Sequence, residues 1–131
     1  MIEMLCFLAL LTGATVGAAR MGGSSERAAA ALFILAWGTT LMIQIVGDRL
    51  DSPRATLLVD LAVLTCLIAL AWKFQRTWPA FAAAFQAIGV AAHLAYFYGA
   101  IEAVGPYLKV TGLAGFGTVG ALAFSLWRRR E

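Results

Sequence analysis

Five long apolar runs alternate with short polar breaks along this chain. The runs cover about residues 2–19, 28–46, 55–72, 78–98 and 107–127. Each approaches the roughly 20 mostly apolar residues that a helix needs to cross a bilayer. The breaks carry helix punctuation. Gly22 and Gly23 end the first run, and Ser24 or Ser25 is placed to cap the second. Ser52 before Pro53 opens the third, and Trp78-Pro79 puts a proline in the first turn of the fourth. The pattern predicts an all-α, polytopic integral membrane bundle of five transmembrane helices, forming a single domain over residues 1–131. A four-helix arrangement is the alternative, because runs one and three are short and run five is rich in Gly and Thr. In that case one of them would be re-entrant or lie on the surface. The first run ends like a signal peptide, but Glu3 and no basic residue precede its apolar stretch, so it reads as the first span.

Composition strengthens this picture. The chain is 62% hydrophobic and 13% charged, against about 45–50% apolar and about 25% charged in soluble domains. The net charge of +3 could suggest nucleic acid in a soluble protein, but here the basic residues gather at span ends, where they anchor and orient. No nucleic-acid partner is expected. Cys6 and Cys66 stand alone in apolar runs, without metal or disulfide spacing, and read as small hydrophobes. The excess of Arg over Lys and the high Ala and Gly content suggest a bacterial chain, and so an inner-membrane location.

Charge also predicts orientation. Arg20, Arg27, Lys73, Arg76, Arg128, Arg129 and Arg130 fall on one side of a five-span chain, and Arg49, Arg54 and Lys109 on the other. Positive-inside bias then places the C-terminus in the cytoplasm and the N-terminus outside. Trp72, Trp78 and Trp127 mark the inner interface in this reading, and Tyr96, Tyr98 and Tyr107 the outer one. Trp37, in mid-span, reads as lipid-facing or as packing filler.

Helices associate in lipid through small residues that let backbones approach. Gly13 and Gly17 form a GxxxG pair in the first span. Ala80, Ala84, Ala87, Ala91 and Ala95 lay a smooth stripe along the fourth, and Gly112, Gly115, Gly117 and Gly120 recur in the fifth. These faces pack the bundle itself, or else bind another membrane subunit or a second copy. Five ionisable or amide side chains need a separate explanation, because a charged residue at mid-membrane costs about 2.5–3.5 kcal/mol. Glu3, Gln44, Asp60, His93 and Lys109 all fall in the outer half of the predicted bundle. Only Gln86 lies comparably deep in the inner half. Asp60 and His93 either satisfy each other or line a polar cavity for a small ligand, a proton or a lipid headgroup.

The stretch Trp72-Lys-Phe-Gln-Arg-Thr-Trp-Pro-Ala-Phe-Ala-Ala-Ala-Phe-Gln-Ala-Ile-Gly-Val-Ala-Ala-His93, about a fifth of the chain, resembles a segment of small multi-span inner-membrane proteins of alphaproteobacteria. The resemblance brings no activity with it. Small multidrug-resistance transporters have four spans and an embedded Glu in the first, whereas Glu3 stands at the very end of its run. The Trp- and Pro-rich pattern of tryptophan-rich sensory proteins is absent.

The first functional expectation is a non-catalytic accessory, assembly or scaffold subunit, with the lipid bilayer and other membrane subunits or a homo-oligomer as partners. The second is a small transporter or channel using the outer polar cluster. A haem- or quinone-associated redox subunit is the third. It is disfavoured because a bis-His haem would need a second protomer to supply another histidine, and no nucleophile–base pair is visible. No cofactor and no metal site are expected.

Overall fold

The computed structural model describes residues 2–46 and 52–128. They form five helices: α1 Ile2–Met21, α2 Ser24–Val46, α3 Ser52–Phe74, α4 Thr77–Phe97 and α5 Val104–Arg128. All five are long and apolar enough to cross a membrane. The four-span alternative therefore falls away: α3 and α5 extend beyond their apolar runs, because Ser52, Pro53, Val104 and Gly105 join the first turns. Residues 47–51 and 129–131, which carry Asp48, Arg49, Asp51, Arg129 and Arg130, lie outside the described residues, as does the Ser52 side chain.

The helices pack in chain order, α1 on α2, α2 on α3, α3 on α4 and α4 on α5, and α1 also meets α5. The result is a closed ring. Large apolar side chains such as Leu35, Met42, Leu58, Ile68, Phe81 and Leu113 point outward from it, as lipid-facing residues should.

Short connections hold the register. At the α1–α2 turn Gly22 N–H donates to the Ala18 carbonyl at 3.0 Å. The expectation that Ser24 or Ser25 caps α2 is corrected. Gly23 stands at the cap, and Glu26, three residues on, reaches back to accept from Gly23 N–H at 3.0 Å and from the Ser25 hydroxyl at 2.8 Å. This is the return half of a capping box, and it lets a carboxylate that is only 1% exposed sit at a helix N-terminus. At the end of α4, Gly99 adopts φ +73°, Ala100 N–H donates to Ala95 O at 2.8 Å, and Gly99 N–H to Tyr96 O at 3.2 Å. These are the two bonds of a Schellman motif.

The two halves of the ring differ. Toward the C-terminal end of α5, the interior is filled by Ala14, Ala18, Ala29, Ala30, Leu67, Ala82, Leu122 and Leu126. Toward the opposite end, the interior is open. Trp78 belongs to the filled half. It is buried in the first turn of α4, and its indole N–H has no acceptor among the described residues. Trp72 and Trp127 are exposed. Trp37 is half-buried, its ring 6.0 Å from that of Phe7.

The small residues divide in a way that sequence spacing does not reveal. Gly17 takes Leu126 of α5 at 3.1 Å from an ideal Cβ position, Gly115 takes Phe7 at 3.5 Å, and Gly117 lies against the Phe85 ring. Gly13, Gly112 and Gly120 have nothing within 4 Å of that position, so they do not mediate close packing. The alanine stripe faces outward. Ala80, Ala84, Ala87 and Ala91 are exposed and Ala95 is half-buried. The face that α4 buries is instead Trp78, Ala82, Gln86, Gly89, Val90 and His93. With alanines all round the helix, spacing alone has no means of choosing the inner face.

Replacing Gly22 by Ala should lower stability by about 1–3 kcal/mol, the usual cost of overpacking, since the added Cβ lies 2.5 Å from the Ala18 carbonyl oxygen and 2.9 Å from Glu26 Cβ. Gly13→Ala should be neutral or slightly stabilising. Unfolding of the two purified variants in detergent checks the contrast, and equal stabilities would contradict it.

Candidate functional site

Three helices bring polar side chains to one point inside the ring. Asp60 sits eight residues into α3, about 12 Å along the axis at 1.5 Å per residue. This is deeper than its place in the apolar run implies, because α3 starts earlier. His93 lies near the end of α4 and is only 2% exposed. Its Nε2 is 2.8 Å from Asp60 Oδ2, and its Nδ1 is 2.7 Å from the Tyr107 hydroxyl of α5. The Gln86 amide donates to Asp60 Oδ1 at 3.0 Å. Asp60 thus has one partner on each carboxylate oxygen, and both come from the buried face of α4.

The tautomer follows from the partners. With Asp60 ionised and the imidazole neutral, Nε2–H must donate to the carboxylate, and Nδ1 accepts from the tyrosine hydroxyl. Every hydrogen bond in the chain Tyr107–His93–Asp60 then runs toward the carboxylate, and Gln86 adds a fourth group pointing the same way. The Tyr107 ring is held by a stacked Tyr96, with centroids 4.6 Å apart, and meets the imidazole edge-on at 5.3 Å. The Thr118 hydroxyl donates to Ala114 O at 2.9 Å, with Gln86 Oε1 3.4 Å away.

This assembly forms part of the wall of a cavity of about 620 Å³ inside the open half of the ring. All five helices contribute. Phe7, Phe33, Trp37 and Phe116 supply much of the apolar lining, with Phe7 and Phe116 edge to face at 5.4 Å. Leu11, Val63 and Val119 lie at its inner end, and Glu3, Gln44, Pro53 and Val104 at the helix ends.

Of the five polar residues that the sequence groups together, Asp60 and His93 are bonded, and Glu3 and Gln44 line the same cavity nearer the helix ends. Lys109 does not join them. It is exposed and lies outside the cavity lining. It follows Tyr107 by two residues, about 200° around an α-helix, so an inward Tyr107 turns Lys109 out. Gln86, separated from the group when its depth is counted along the chain, does join. It precedes His93 by seven residues, two turns along the same face, and its amide reaches back to Asp60. Tyr107, expected at the outer interface, is buried in the site. The spacing Tyr107, Thr111, Ala114, Thr118 is the signal that could have found it, because it traces one polar, small-residue face of α5.

Both His93 nitrogens are engaged by side chains, so neither directs a free lone pair at a haem iron in this arrangement. No group of three His, Cys, Asp or Glu side chains could hold a metal ion among the described residues. Cys6 and Cys66 are exposed on the outside of the ring. The fold and site describe a five-helix membrane protein with an aromatic-lined internal cavity. No protein-family model, curated protein or solved structure matches this chain.

Removing His93 should leave a buried hydroxyl on Tyr107 and a part-buried carboxylate on Asp60 without their shared partner. His93→Ala is expected to cost about 2 kcal/mol or more, and Tyr107→Phe about 1 kcal/mol. Lys109→Ala should cost nothing measurable. Unfolding in detergent tests the order, and a His93→Ala variant as stable as Lys109→Ala would contradict the network.

Proposed function

We propose that this protein is a non-catalytic membrane protein of the bacterial inner membrane that binds a small apolar or amphipathic molecule inside its helical ring, with its C-terminus in the cytoplasm. The cavity carries this reading. Its volume of about 620 Å³ falls within the roughly 300–1,000 Å³ of ligand pockets, which are mostly apolar and aromatic with a few placed polar groups. Asp60, His93, Gln86 and Tyr107 are such groups, and their mutual bonds hold them on one wall. A lipid-soluble ligand would reach the mouth from the outer side under the charge-based orientation. The packed half beyond the cavity supports binding, or one state of an alternating-access carrier, over an open channel.

The reading as an accessory or assembly subunit keeps one observation of its own. Ala80, Ala84, Ala87 and Ala91 leave a smooth, exposed stripe on α4, a surface suited to close approach by a helix of another subunit or of a second copy.

Binding is tested with the neutral fluorophore N-phenyl-1-naphthylamine and the full chain in lipid nanodiscs, with the signal of empty nanodiscs subtracted. Saturable binding of about one probe per chain is expected. A Thr40→Trp, Gly112→Phe variant should lose it, because both positions line the cavity and an ideal Cβ at Gly112 has open space around it. Binding no greater than to empty nanodiscs would contradict the proposal.

A further inference from the structure

We infer that the ligand of this cavity is an amphipathic organic cation, an amine or quaternary ammonium carried on an apolar body; the inference rests on the ligand-binding reading above and specifies it. The first ground is the sign of the charge. The carboxylates lining the cavity are Glu3 and Asp60, and no Lys or Arg lines it among the described residues. Arg54 is exposed outside the lining, and Lys109 faces away. His93 changes the total without reversing it. Neutral, it leaves the Asp60 carboxylate uncompensated, and protonated, it brings the pair only to zero. In neither state does the wall turn positive.

The second ground is which atoms face the space. The His93 side chain is 2% exposed, and that of Asp60 is 24% exposed. The accessible member of the pair is therefore Asp60. An ionised carboxylate offers about four acceptor sites, and His93 and Gln86 occupy one on each oxygen. The remaining sites accept from an ammonium N–H, or face a quaternary centre as a plain counter-charge. In a low-dielectric interior a cation there gains an attraction that water would largely screen, and an anion meets the corresponding repulsion. The third ground is the apolar wall. Phe7, Phe116 and Trp37 place aromatic rings around the same space, and ring faces attract cations as well as burying an apolar body.

Tetraphenylphosphonium and tetraphenylborate have nearly the same shape and opposite charge, which isolates the sign. Equilibrium dialysis of each against the full chain in nanodiscs, corrected for empty nanodiscs, should give saturable binding of the phosphonium at about one per chain and none of the borate. Asp60→Asn should weaken phosphonium binding at least tenfold. Equal binding of the two ions by the wild type would overturn the inference, even if Asp60→Asn fails to fold. So would undiminished phosphonium binding by an Asp60→Asn protein that still holds the neutral probe. In both cases the cavity reading survives. If the wild type takes up neither the neutral probe nor the phosphonium, the cavity reading fails and the inference goes with it.

Discussion

A carboxylate about 12 Å along a membrane-spanning helix must find partners inside the protein, and Asp60 makes that demand on α3. Lipid offers it no hydrogen bonds, and an isolated charge at depth costs several kcal/mol. α4 answers with Gln86 and His93 from one buried face, and α5 extends the chain with Tyr107. For this to happen α4 must lie between α3 and α5 and turn the Trp78–His93 face inward. That choice sends the Ala80–Ala91 stripe outward. The orientation of α5 follows from Tyr107, and with it the outward turn of Lys109. One part-buried carboxylate thereby sets the rotation of two helices about their own axes.

Backbone proximity and cavity are consequences of the same packing. Where glycine and alanine meet, as at Gly89 against Ala114, with 3.4 Å between an ideal Cβ and its neighbour, α4 and α5 come close. Gly17 lets Leu126 approach α1 in the filled half. In the other half, Phe7, Phe33, Trp37 and Phe116 line the cavity, with the Phe7 ring beside those of Phe116 and Trp37. The polar assembly occupies one wall there, tied across three helices by its hydrogen bonds.

The spans were legible in the sequence to within a few residues, because an apolar run near 20 residues has few other uses. The Asp60–His93 pair was legible too, since two costly groups at depth on different helices have reason to meet. Gln86 and Tyr107 were obscured by reading depth along the chain in place of azimuth around the helix. A long amide spans the distance that depth counting treats as a separation, and a tyrosine near a helix start looks like an interfacial anchor until its neighbours are known. The direction in which the α4 stripe faces was hidden for a different reason. Alanine occurs on both faces of that helix, so small-residue spacing carries no information on which face is buried. The polar residues Gln86 and His93, seven apart, marked the inner face more reliably than the alanines did.

His93 is the sole histidine of the chain, so its ring can be observed without ambiguity. The most direct test of the Asp60-centred network is the ¹⁵N NMR spectrum of the imidazole in lipid, recorded for the wild type, Tyr107→Phe and Asp60→Asn. Nδ1 should respond to loss of the tyrosine hydroxyl, and Nε2 to loss of the carboxylate charge, with the two nitrogens distinguishable in the wild type. Identical imidazole spectra in all three proteins would contradict the network, and with it the packing account built on it.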